Sequence, residues 1–96
     1  MIHSFRDETT ADLFRERNTR SARRIPRELW RAVQRKLKLI DAAGRLDDLV
    51  VPAGNRLELL KGDQAGRHSI RVNDQYRVTF GWENGHAYEV RVEDYH

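Results

Sequence analysis

Apolar positions recur with a helical period through the first half of the chain and alternate with polar ones through the second. Residues 2–5, Ile-His-Ser-Phe, read as a short strand. Asp7 to Arg17 reads as a helix carrying Ala11, Leu13 and Phe14, and a polar, basic connection runs from Asn18 to Ile25. Pro26 stands where a second helix begins, because a residue without an N–H loses nothing in a first turn. At about 100° per residue, Leu29, Trp30, Val33, Leu37 and Ile40 share an arc about as wide as a core-facing stripe. Arg27, Arg31, Arg35 and Lys38 fall on the far side. Gly44 serves as a C-cap, Leu46 to Val50 adds a turn, and the Pro52-Ala-Gly-Asn55 loop closes the helical half.

Four strands are predicted after that loop, at residues 56–60, 68–72, 76–82 and 87–95. Helices first and strands afterwards predict an α+β fold, with the helices on one face of an antiparallel sheet. Side-chain parity restricts the turns. A two-residue Asn84-Gly85 turn pairs Phe80 with Glu89 and brings an acid into the core row, whereas a three-residue Glu83-Asn84-Gly85 loop pairs Phe80 with Tyr88 and Val78 with Val90. The three-residue loop is therefore expected, with Tyr88, Val90 and Val92 facing inward. The same parity sets Arg71 against Arg77 and Arg77 against Arg91, a row of like charges that repel. Two arrangements answer the repulsion: Glu89 and Glu93 on the same face neutralise the row as a solvated lattice, or an anion such as phosphate occupies it.

The 96 residues suffice for one domain and one thin core, with 39% apolar and 34% charged residues and a mean hydropathy of −0.83. No apolar run reaches the length of a membrane span, and MIHSFRDETT lacks the apolar stretch of a signal peptide. A soluble, cytoplasmic protein with no membrane association is expected. The lack of cysteine excludes disulfides and thiolate metal sites. Eighteen Lys and Arg against fifteen Asp and Glu leave a net charge of only +3, yet the arginines are bunched and the pI is near 9.7, which suits a polyanionic partner. His3, His68, His86 and His96 show no metal-ligand spacing, so no metal or other cofactor is expected.

The run NRLELLKGDQAGRHSIRVNDQYRVTF from Asn55 to Phe80 and the terminal EDYH from Glu93 to His96 resemble the HigB branch of the RelE-like toxins. The opening MIHSF and the Leu39-Ile-Asp-Ala-Ala43 stretch resemble it too, so the likeness covers most of the chain. It implies two N-terminal helices on a curved, mainly antiparallel sheet. It further implies a metal-independent endoribonuclease that cuts mRNA in the ribosomal decoding site, the 2′-OH attacking the adjacent phosphate to leave a 2′,3′-cyclic phosphate and a 5′-OH. The implied partner is a helix-turn-helix, HigA-like antitoxin, through which the protein meets operator DNA.

Carried onto this sequence, the resemblance gives Lys61, Arg77, Asp94, Tyr95 and His96 as catalytic residues. Arg77 and Lys61 would stabilise the phosphorane, Tyr95 would position the nucleotide, and Asp94, inward by parity, would orient His96 or Lys61. The chain departs from the family at Glu58, which occupies a histidine's place in the stretch Leu57 to Asp63. Glu58 is expected to matter less than His96, whose imidazole is the side-chain type suited to proton transfer near neutrality. His68 is a candidate replacement imidazole. Arg71 and Arg91 are phosphate or RNA ligands in this reading. Arg27, Arg31, Arg35 and Lys38 form either a solvated face or a ribosomal RNA contact, which would add salt-sensitive affinity without base specificity. From a different class comes a non-catalytic basic module that binds RNA or acts as a co-repressor with a DNA-binding partner.

Overall fold

Two helices cover one face of a four-stranded antiparallel sheet whose strands lie side by side in chain order, as the computed structural model shows for residues 1–95. His96, expected to be catalytic, lies outside the described residues. Helix α1 spans Glu8–Phe14, with Asp7 as N-cap accepting the Thr10 N–H at 2.9 Å. It stops short of the expected Arg17 because Glu16 adopts the left-handed region, φ 58°. The basic connection holds a 3₁₀ turn at Ala22–Arg24 with Ala22 fully buried, and the Trp30 indole N–H donates to the Ile25 carbonyl at 2.8 Å. Pro26 leads into a 3₁₀ turn, Arg27–Leu29, that continues as α2, Trp30–Ala42. The helical stripe lands as predicted: Val33, Leu37 and Ile40 have no exposed surface, and Leu29 and Trp30 pack partly buried against the same core.

Strands β1 (Glu58–Leu59), β2 (His68–Arg71), β3 (Tyr76–Glu83) and β4 (His86–Asp94) supply the other half of the core. Ile70, Val78, Phe80 and Val90 are fully buried against α1 and α2, each contributing roughly 1.5–3 kcal/mol on transfer from water. Strand β1 begins two residues later than expected because Arg56 is left-handed at φ 45°. The predicted strand at residues 2–5 appears as a segment running parallel to β4 on its outer side, bridging Ile2 to Ala87 and Phe5 to Val90. Among the described residues no helix is long and apolar enough to cross a membrane.

The β3–β4 connection differs from the expectation. Glu83 pairs with His86 across a two-residue Asn84-Gly85 turn, both residues at positive φ (53° and 81°), whose twist matches that of the flanking strands. The parity conflict this creates at Phe80 is removed by a bulge. Gly81 pairs with Tyr88 and Thr79 with Arg91, so Glu89 and Val90 together stand opposite Phe80. Glu89 takes φ 50° and remains exposed, while its N–H donates to the Ser4 hydroxyl at 2.8 Å. Val90 and Val92 keep their inward face, but Tyr88 moves outward and Ala87 is buried in its stead. Beyond the bulge the partners stand two residues from the expected register, one through the shorter turn and one through the bulge. Arg77 faces Glu93, not Arg91, and Arg91 faces Thr79.

Candidate active site

Alternation along β2, β3 and β4 sends Ser69, Arg71, Arg77, Thr79 and Glu93 to the sheet face away from the helices. A pocket of about 110 Å³ opens there, lined by Arg56, Glu58, Ser69, Arg71, Arg77 and Tyr95. Register explains its walls: Glu58 pairs with Ser69 across β1 and β2, and Arg71 with Arg77 across β2 and β3. Arg56 joins them from the left-handed turn that precedes β1.

The opposed guanidiniums of Arg71 and Arg77 are each held. Arg71 makes an ion pair with Asp74 and donates its Nε–H to the Asn73 carbonyl at 3.1 Å. Arg77 donates to Glu93 Oε1 at 3.1 Å, and its guanidinium carbon lies 5.4 Å from the centre of the Tyr95 ring. Tyr95 is anchored in turn, its hydroxyl donating to the Asn73 carbonyl at 2.9 Å. Glu93 also accepts from Gln64 Nε2 at 2.9 Å and from the Thr79 hydroxyl at 3.0 Å. Burial alone would raise the Glu93 carboxyl's pKa, but the hydrogen bonds from Gln64, Arg77 and Thr79 and the charge of Arg77 outweigh it and hold the group below its ordinary value. Glu93 thus supplies the compensation for Arg77, while Glu89 is occupied by the bulge.

One donor is left over. Arg77 Nε is buried and has no hydrogen-bond partner among the described residues. An unmet buried donor costs about 1–3 kcal/mol, and an oxyanion in the pocket is the kind of group that satisfies it. Three arginines, a serine hydroxyl, one carboxylate and one aromatic ring in this space suit a phosphodiester with a base stacked beside it.

The other expected site residues lie elsewhere. His68 is on the helix-facing side, paired with Phe80 at a ring distance of 5.9 Å, and burial lowers its pKa. Asp94 pairs with Tyr76 and has the inward parity expected of it, with its carboxylate accepting from Gln75 Nε2 at 3.0 Å. Lys61 is exposed just after β1, at the start of the Gly62–Gln64 turn, and does not line the pocket. The expected row of three arginines ends at two, because the shorter turn and the bulge together set Arg91 opposite Thr79, where it makes an ion pair with Asp7 at 3.4 Å. Arg27 stacks over Trp30 at 5.1 Å, Arg31 and Arg35 are exposed, and Lys38 pairs with Glu16 at 3.8 Å; all four belong to the helical layer on the opposite face. Sequence reasoning missed Arg56 and Ser69. Ser69 shares parity with Arg71, which could have found it, whereas Arg56 enters through a backbone conformation that no motif announces.

Residues 3–96 match the family model described as RelE-like toxin of type II toxin-antitoxin system HigB. Toxin HigB-1 of Vibrio cholerae is 45% identical over 71 residues, 74% of this chain and 75% of that protein. Endoribonuclease HigB of Proteus vulgaris is 36% identical over 100 residues, spanning all of both chains. In three dimensions the fold is similar to a chain of the YoeB-YefM complex from Staphylococcus aureus, with a TM-score of 0.61 over the whole of this chain and 98% of that one, at 16% identity.

Proposed function

The chain belongs to the HigB-like branch of the RelE-like toxins of type II toxin–antitoxin systems, and we propose that the pocket beside Tyr95 is where it cuts RNA. The protein is a toxin with mRNA endoribonuclease activity. Its substrate in this reading is mRNA held on the ribosome, in the cytoplasm. Its partner is a helix-turn-helix, HigA-like antitoxin that brings it to operator DNA. The observation that carries the assignment of the pocket is Arg77: a guanidinium fixed by Glu93, stacked on Tyr95 and left with a buried, unmet Nε donor.

The chemistry divides among the residues as follows. The ribose 2′-oxygen bonds to the adjacent phosphorus while the bond from phosphorus to the 5′-oxygen breaks, giving a 2′,3′-cyclic phosphate and a 5′-OH. Glu58, the carboxylate lining the pocket, takes the 2′-OH proton, a larger role than its place in the sequence suggests. His96, the residue after Tyr95, delivers a proton to the departing 5′-oxygen, and Asp94 orients it. Arg77, Arg71 and Arg56 hold the phosphorane's charge, with Lys61 adding positive potential near the end of β1. Tyr95 stacks on a base.

Expression without an antitoxin, followed by mapping of RNA 5′ ends on purified ribosomes, tests this. The wild type should leave 5′-OH ends, and Arg77→Ala should lower the cleavage rate by roughly 10²–10³. Cleavage that persists in Arg77→Ala overturns the assignment. Bound but uncut RNA, with growth unimpaired, would support the non-catalytic module instead.

A further inference from the structure

We infer that Glu93 is a positioning residue, which sets the Arg77 guanidinium against the pocket and through it governs the cleavage step. This rests on the reading of the pocket as the cleavage site.

Glu93 faces Arg77 only because the two-residue turn and the Glu89 bulge each move β4 by one residue from the straightforward register. Its side chain is 13% exposed, and both carboxylate oxygens are engaged: Oε1 by Arg77 and Gln64, Oε2 by Thr79. Behind it stands a second guanidinium that does not line the pocket. Arg67 donates its Nε–H to Gln64 Oε1 at 3.2 Å, and one terminal nitrogen to the Thr79 hydroxyl at 3.3 Å and to the Glu89 carbonyl at 2.7 Å. Arg67 thereby ties the bulge to both of the neutral side chains that donate to Glu93. From the bulge the contacts run through Arg67, Gln64 and Thr79 to Glu93, then to Arg77 and the Tyr95 ring.

A long arginine side chain held by a single partner would sample several rotamers, each misplacing its fork. Glu93 fixes one terminal nitrogen while Tyr95 fixes the plane, so the remaining donors are set before a phosphate arrives. A neutral glutamine at position 93 keeps the shape but weakens the charge-assisted hold on Arg77. Substrate binding should suffer little, because Arg56 and Arg71 still attract the phosphate, and the loss should fall on the rate of the chemical step.

The test is a double-mutant cycle on ribosome-dependent cleavage of a reporter mRNA, with Glu93→Gln and Arg77→Lys made singly and together, at a temperature where each protein is folded. Glu93→Gln should reduce kcat by up to about 100-fold with KM little changed. In the Arg77→Lys background the same change should cost far less, because the group it positions is gone. Gln64→Ala, which removes one donor to Glu93 on an adjoining turn, gives a second reading if Glu93→Gln does not fold, and should lower kcat in the same direction by a smaller factor. Additive losses in the cycle, a Glu93→Gln or Gln64→Ala protein with a lower melting temperature but wild-type kcat, or a loss confined to KM would overturn the inference alone. Failure of the wild type to cleave would overturn the reading of the pocket and this inference with it.

Discussion

Arg71 and Arg77 stand directly opposite one another, and each meets the repulsion by its own means, Arg71 with Asp74 from the following turn and Arg77 with Glu93 from the next strand. Neither compensation closes the pocket, because both guanidiniums still line it. Inorganic phosphate or sulfate should therefore bind there, and Arg71→Ala should weaken it by roughly tenfold, about the worth of one hydrogen bond to a charged group. Isothermal titration would decide, and unchanged affinity in Arg71→Ala would remove Arg71 from the site. His96→Ala and Glu58→Gln should each lower single-turnover cleavage, by about 10²–10⁴ for a lost proton-transfer group. His68→Phe should leave it intact, since that side chain packs on Phe80 across the sheet. A dead His68→Phe protein that is still folded would return the imidazole to the mechanism.

At the scale of elements, periodicity was a good guide and parity an incomplete one. The α2 stripe, the four strands and their inward faces apart from Tyr88 were legible because burial imposes its period on the residues themselves, as at Val33, Leu37, Val78 and Val90. The β3–β4 partners were not, because a parity rule assumes an unbroken ladder, and Glu89 breaks it with a conformation that glutamate seldom takes. That bulge and the shorter turn together decide whether Arg77 meets Arg91 or Glu93, so the candidate site was legible in four of its six lining residues but not in its connections. The Asn84-Gly85 turn sets where the ladder starts. Gly85 holds φ 81°, and a Cβ there would lie 3.2 Å from the Gly44 carbonyl oxygen. Gly85→Ala should destabilise the fold by about 1 kcal/mol or more, read as a lower urea midpoint at unchanged slope. An unchanged midpoint would mean that the turn adapts without cost.

Seen whole, the protein separates its two surfaces, helices with their basic side chains on one face and the arginine pocket on the other. Its acid stability follows from two groups with lowered pKa values. Burial lowers His68 from 6.5, so it favours the fold as a neutral ring. Glu93, despite burial, is lowered from 4.5 by its hydrogen bonds and the charge of Arg77. In both, the unfolded chain binds the proton more tightly, so stability is full above pH 6.5 and falls on acidification, first through His68 and below pH 4.5 through Glu93 as well. The melting temperature should trace that descent, and His68→Phe should flatten its upper part; a wild-type profile flat from 6.5 downward would contradict both assignments. The segment at residues 1–6 has a further consequence. Without it, residues 87–90 of β4 would present open N–H and C=O groups to any other chain, whereas β1 at the far side is only two residues long. The first residues act as a guard strand, shielding the longest sheet edge from adventitious pairing, so deleting them should show itself first as light scattering on warming and only afterwards as lost activity.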